Sequence, residues 1–285
     1  MTPLSLEVDF ELRQAGDYVL AMQIFPRVFL RLTLILGAAA LIVFSLAPKD
    51  SGVGGIEAAA ARDWTDSPVV VELYTSQGCS SCPPADAFLG ELAMWPGVIA
   101  LAFHVDYWDY IGWKDPFANP AYTQRQKSYQ RSLDSRYVYT PQMVIDGRID
   151  AVGSRRGEVE RKIAKAREQK KAVAVTFDSV DGGRVVIPAG QAPEGGADIW
   201  LAVYDKEHET EIARGENSGR TLKDYNVVRE LQHLGYWNGE AMTIPLQLDA
   251  AAERGRAGCA VIVQHRDTKA VLGAGLMRVE ELAQN

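Results

Sequence analysis

The stretch from Val69 to Val105 constrains this chain more than any other. Val69-Val70-Val71-Glu72-Leu73-Tyr74 is a short, β-branched apolar run and reads as a buried strand. Cys79-Ser80-Ser81-Cys82 follows it. From Pro83 to Met94 the apolar residues Ala87, Leu89, Leu92 and Ala93 recur at helical spacing. Proline stands in the first turn, where its missing N–H costs nothing. Val98–Val105 is a second strand. Strand, helix and strand over this distance make a βαβ unit with parallel strands and a right-handed crossover. This part of the chain is thereby committed to an α/β architecture, with two cysteines at its first strand–helix junction.

The pattern continues through residue 171. Asn119-Pro120 opens a helix running to Leu133. Thr140-Pro141 precedes a strand, Gln142–Ile145. Asp146-Gly147 is a tight-hairpin dipeptide, and Arg148–Val152 is its return strand. Ser154 starts a basic amphipathic helix through Lys171, whose charge a solvated face explains. From Ala172 the texture changes. Strand-like runs recur at 172–177, 184–187, 199–204, 227–231, 242–248, 259–264 and 270–275, separated by turn residues such as Asp181-Gly182-Gly183 and Asn238-Gly239. No long helix is evident. The spacing predicts an all-β antiparallel, sandwich-like domain over 172–285, after an α/β domain over 66–171. A chain of 285 residues is long enough for both.

Residues 1–61 read as tail, export segment and linker. Residues 32–47 are uncharged and apolar, and Arg27 and Arg31 lie just before them. A basic flank ahead of a short apolar core is the pattern of a secretory signal. Met1–Ala21 is acidic for such a segment, and Met22 makes a more ordinary start. Ser45-Leu46-Ala47 suits a processing site, although Pro48 follows it. Residues 28–47 reach the length of a membrane span only by including Arg31. A cleaved signal and an uncleaved inner-membrane anchor therefore both remain open. Either places the remainder in the periplasm or outside the cell, where the environment is oxidising.

In that setting the cysteine pair has redox work available. A cysteine at a helix start lies near unpaired N–H groups and the positive end of the helix dipole, which lowers a thiol pKa from about 8.5. Cys79, the first and more exposed, is assigned the attacking thiol, and Cys82 the resolving thiol that closes the disulfide. A purely structural bridge is a rival, but so short a loop stabilises little. A copper or zinc site using Cys79, Cys82 and His104 is another. A non-catalytic envelope adaptor is a third. The pattern calls for no cofactor. The net charge of −7 makes nucleic acid a poor partner, so the expected partners are protein or small-molecule thiols and disulfides.

The order of strand, Cys-x-x-Cys, helix, strand, Thr-Pro, strand, hairpin, strand and helix resembles the thioredoxin fold. Leu73–Cys82 looks like a glutaredoxin active-site approach. More closely, Glu72–Cys79, His104–Tyr110, Tyr139–Gln142 and Arg214–Leu222 resemble bacterial secreted proteins of the domain of unknown function 1223 family, over roughly residues 66–280. The resemblance implies a thioredoxin-like domain, with Pro141 in cis beside the dithiol and Thr140 and Pro141 lining a substrate groove. It implies no particular reaction. The chain departs from thioredoxin in having Ser-Ser between the cysteines, Pro83-Pro84 after them and Gly78 before them. Its strand acid is Glu72, one residue further from the first cysteine. If Glu72 points under the dithiol it relays the Cys82 proton; if not, it is a solvated strand residue.

Around the pair, Asp106–Phe117 leaves the carboxyl edge of the second parallel strand, where open α/β sheets bind ligands. Tyr107, Trp108 and Trp113, with Tyr110 and Phe117, form either a substrate wall or a packed excursion. Asp106, Asp109 and Lys114 read as a solvated rim. His104 is either a core histidine or a partner of the thiolates. Cys259, in an apolar strand, reads as inert core. Gly215–Leu222, with Arg220, is a turn, an anion site or a contact with the first domain.

Overall fold

The computed structural model describes residues 67–178, 183–246 and 253–279. The tail, the apolar segment and the linker at 1–61 lie outside the described residues, and so do the start site, processing and anchoring read from them.

The βαβ unit forms as its periodicity predicts. Strand β1 (Val69–Thr75) pairs in parallel with β2 (Val98–His104), and helix α1 (Pro83–Leu92) crosses between them. Helix α2 (Pro120–Ser132) starts at Asn119, whose side chain accepts from the Ala121 N–H. Strands β3 (Gln142–Ile145) and β4 (Ile149–Val152) form the expected hairpin. Asp146 and Gly147 both take positive φ, at 50° and 63°, which is why this dipeptide is favoured in the tightest turns. Helix α3 (Arg156–Arg167) closes this part.

The second half is β-rich, as its texture predicts, but it is not built as a separate sandwich. Strands β7 (Ala197–Glu211), β8 (Thr221–Trp237), β10 (Gly258–His265) and β11 (Val271–Arg278) continue the first sheet. The result is one mixed, eight-stranded sheet in the order β11-β10-β7-β8-β2-β1-β3-β4. The seam is parallel, at Ala102↔Val227, and the Asn226 amide reinforces it by donating to the Ala100 carbonyl at 2.8 Å. Strands β5 (Thr176–Asp178), β6 (Arg184–Ile187) and β9 (Met242–Pro245) form a small antiparallel sheet of their own. The described residues belong to one folding unit rather than two joined end to end. An edge left at β2 would expose unpaired backbone groups, and β8 covers part of it through the Ala102↔Val227 pair and the Asn226 amide.

Three apolar clusters fill the layers. Val69, Val71 and Leu73 of β1 pack under α1 and α3. On the opposite face, Val70 and Tyr74 join Phe103, Tyr122 and Tyr129 in a cluster that runs on into Ala202, Val228 and Ile262 of the second half. The small sheet covers the remaining face of β7 and β10 through Val185, Ile187, Leu201 and Val261. Successive residues on a strand face opposite sides, so β1 and β10 are buried on both.

Candidate active site at the strand–helix junction

Cys79 and Cys82 are joined as a disulfide, with Cα atoms 5.4 Å apart. Helix α1 begins immediately after, with Cys82 as its N-cap. Antiparallel pairing at Tyr74↔Gln142 brings Thr140-Pro141 to the same end of β1, and the Thr140–Pro141 bond is cis. The expected difference in exposure between the two sulfurs is absent. Cys79 is 1% exposed and Cys82 0%, while Ser80 and Ser81 between them are exposed.

Glu72 does not lie under the dithiol. It shares a face with Val70 and Tyr74, on the side of the sheet away from α1. Arg125 of α2 grips both of its oxygens, at 2.7 and 2.9 Å. Tyr74 and Tyr129 donate their hydroxyls to the same carboxylate. The ion pair occupies this carboxylate and leaves it no part in a relay. Position on the strand made it an acid near the site; parity turned it to the other side.

The acid on the dithiol side is Asp86, which sequence reasoning missed. It is one helical turn beyond Cys82, and residues four apart share a helix face. Thr75 donates to it at 2.7 Å. Burial, then repulsion from Asp224, pushes its pKa up to about 8. Asp224 arrives from β8 and is also raised, by burial first. His104 completes the group at the end of β2. Its Nδ1 lies 2.7 Å from Asp115 and its Nε2 3.9 Å from Asp224. Burial alone would lower the imidazole pKa, but Asp115, Asp224 and Asp86 outweigh it and hold it at about 9. Asp115 is lowered, since His104 and its hydrogen bonds overcome the cost of burial. The Nε2 atom is buried without a hydrogen-bond partner. His104 thus sits among carboxylates, and among the described residues no group of three or more His, Cys, Asp or Glu is arranged to hold a metal.

Gln77 ties this cluster to the dithiol loop. Its backbone N–H donates to Asp115 at 2.8 Å, and its amide nitrogen donates to Thr210 and Asp224. Its amide oxygen accepts from the Trp113 indole at 3.1 Å. The Trp108 indole donates to Thr140 at 2.8 Å. Two of the three aromatic candidates therefore tether the site's loops, and Tyr107 lies half-buried against Trp108. Tyr110 is 83% exposed. Asp106 and Asp109 are less a solvated rim than loop supports, accepting from Thr123 and from the Asp115 N–H. Lys114 alone of the three is exposed. Cys259 is buried in β10, and burial pushes its thiol up to about 12.

Residues 215–222 make contact with the first half. Asn217, fully buried, donates to the backbone carbonyls of Gln77 and Cys79 at 2.9 and 3.1 Å. The Arg214–Leu222 motif was the signal in the sequence, but nothing local said what it touched.

The family model described as protein of unknown function (DUF1223) matches residues 70–264. This chain belongs to that family. The matched span takes in the dithiol, the cis-proline loop and the Asn217 contact. The crystal structure of protein AGR_C_4864 from Agrobacterium tumefaciens is similar, at 33% identity over 73% of this chain and 93% of that one, with a TM-score of 0.64. HBP35 of Porphyromonas gingivalis shares the fold at 13% identity and a TM-score of 0.51, covering 76% of each chain. No curated protein matches the chain.

Proposed function

We propose that this DUF1223 protein is an exported thiol–disulfide oxidoreductase with a thioredoxin-like arrangement around Cys79 and Cys82. The observation that carries the reading is a cysteine pair at a strand–helix junction with a buried carboxyl group, Asp86, one turn behind it. Structural bridges of this kind need no such acid. In the reducing direction, the Cys79 thiolate attacks a substrate disulfide and releases one substrate thiolate. Asp86 in its ionised form then takes the Cys82 proton, and the Cys82 thiolate attacks Cys79 Sγ. The second substrate thiolate leaves, and the protein is left with its disulfide. Two electrons pass to the substrate; of the two released thiolates, one takes the proton held by Asp86 and the other takes one from solvent, which received the proton Cys79 lost on ionising. The oxidising direction is the same sequence reversed. Thr140, Pro141, Tyr107, Trp108 and Trp113 border the approach and are the surfaces on which a thiol or disulfide substrate would lie. Arg27, Arg31 and the apolar run at 32–47 support export, to a compartment where such chemistry is required.

A redox titration of the full-length protein tests this. Thiols are trapped with a mass-shifting alkylator across defined glutathione ratios. The expected result is a cooperative two-thiol transition between about −120 and −270 mV, the span of known dithiol oxidoreductases. The Cys79→Ser variant is expected to lose mixed-disulfide formation with a model substrate, and Cys82→Ser to accumulate it. A bridge that stays oxidised below about −300 mV would mark it as structural.

A further inference from the structure

Ser80 and Ser81 of the dithiol loop are exposed, but the backbone around Cys79 is held by contacts from the other half of the chain. Strands β7 and β8 pair from Ala197↔Trp237 out to Glu211↔Thr221. Only the inner part of that ribbon has strand neighbours. Strand β10 pairs with β7 from Ala197 to Tyr204, and β2 pairs with β8 at Val227. Beyond Asp205↔Val227 the ribbon has no further strand partner among the described residues, and the side chains of Glu207, Glu209 and Lys223 form a solvent-facing ion cluster. A two-stranded ribbon is marginally stable by itself. Its outer end is held by contacts with the site.

The strands themselves are anchored by Thr210 and Asp224 on Gln77, by His208 on the Phe117 ring and by Tyr225 against Gly90 of α1; the tip beyond Glu211↔Thr221 is held by a smaller set. The Asn217 amide donates to the carbonyls of Gln77 and Cys79, and its oxygen accepts from Arg220 at 2.9 Å. Glu216 accepts from the Ser80 N–H at 3.3 Å. Gly215 and Gly219, at φ 80° and 77°, bracket the tip in a conformation that other residues rarely adopt. A Cβ on Gly215 would also press on Trp113 at 3.3 Å. The tip is shaped to sit on the dithiol loop and the aromatic loop together.

We propose that the β7–β8 tip is a latch that controls which thiols reach the Cys79–Cys82 disulfide, with Asn217 as its pin. This deepens the redox reading of the same site. With the tip down, both sulfurs are closed off. A partner reaches them when the tip beyond the Glu211↔Thr221 pair lifts, with the strands below it staying anchored on Gln77 and Phe117. An incoming thiolate then attacks Cys79 Sγ, the disulfide breaks, and Cys82 leaves with the electron pair and takes a proton. A second thiol attacks the mixed disulfide, so that two partner thiols become one disulfide and the protein gains two thiols.

The test uses the oxidised full-length protein, dithiothreitol as the reductant, and quenching by a mass-shifting alkylator. Asn217→Ala removes two hydrogen bonds to the loop and is expected to speed reduction about tenfold or more. Cys259 is an internal control. It is buried in the core, so its labelling under native conditions reports global opening. The latch predicts that Cys259 stays as protected as in the wild type. Glu216→Ala alters an exposed residue and so spares the fold; it is expected to give a smaller rise, about threefold, with the same control. Unchanged reduction rates in both variants would overturn the proposal. So would a rise matched by faster Cys259 labelling. Reduction by dithiothreitol requires no catalysis by the protein, so these outcomes are separable from the oxidoreductase reading. Faster reduction without turnover of a protein disulfide would remove that reading and leave the latch.

Discussion

Two buried polar networks lie on opposite faces of the same sheet edge, and they are built on different terms. On the α2 side, Glu72 meets Arg125 in a bidentate pair, with Tyr74 and Tyr129 donating to the same carboxylate. One negative charge faces one positive charge. Gln264 of β10 donates to Tyr129 at 2.7 Å and extends the network into the second half. On the α1 side, Asp86, Asp115 and Asp224 surround a single imidazole, whose Nε2 has no hydrogen-bond partner and faces Asp224 at 3.9 Å. Buried charge that exceeds its counter-charge is tolerable only when protons stay on some of the acids. The balanced network fastens the two halves of the sheet together. The unbalanced one keeps protons within reach of the dithiol loop.

Arg125→Met is the severest test of that division. It leaves the Glu72 carboxylate buried without its counter-ion, and unfolding in urea should show a loss of about 3–5 kcal/mol. The dithiol potential should stay where it was, because Glu72 faces away from the sulfurs. A shifted potential would mean that the two networks act as one.

The next largest effects lie in pH. His104 has a folded pKa raised from 6.5 to about 9, so its stabilisation is complete below pH 6.5 and is lost as pH rises through 9. Asp86 is raised from 3.8 to about 8, so its contribution is present at acid pH and declines up to pH 8. Asp115 is lowered and acts oppositely, losing its contribution as pH falls below its ordinary value. Thermal unfolding should therefore show stability falling on the alkaline side of neutrality. Asp86→Asn should flatten the part of that fall below pH 8, and should alter the pH dependence of the dithiol potential between pH 6 and 9. A variant with the wild-type pH profile in both measurements would take the proton-holding role away from Asp86.

The smallest expected effect is at the edge of the site. Thr140→Val removes the acceptor of the Trp108 indole. It should cost about 1 kcal/mol in urea unfolding, the usual net worth of one such bond. It should slow attack on a model disulfide only slightly. A large kinetic loss with little change in stability would make Thr140 a direct contact of the substrate.

The residues of the site were read unevenly. The cysteine pair, the Thr140-Pro141 turn and the Asp146-Gly147 hairpin are written in adjacent residues, and the chain obeys them. Asp86 stood in a helix otherwise read for its apolar spacing, and its burial depends on Thr75, Asp224 and His104 from three other strands. Glu72 was conspicuous by position, yet Arg125, fifty-three residues away, took it. The exposed Ser80 and Ser81 gave no sign that the cysteines beside them are covered.

The sequence by itself determined the order of strands and helices, the pairing of β1 with β2, the dithiol at the junction and the β-rich character of everything after residue 172. These follow from short-range periodicity and turn chemistry, which depend only on near neighbours. Tertiary structure alone decided that β8 docks on β2 and makes one sheet of two halves. It alone decided which face of β1 holds an ion pair and which a proton store, and that Asn217 lies on the dithiol loop. Periodicity says which side of a strand is buried. It does not say against what, because that choice is made by segments distant in the chain, 53 residues for Glu72 and Arg125 and 138 for Cys79 and Asn217, through backbone and side-chain groups that each must find a partner once water is gone.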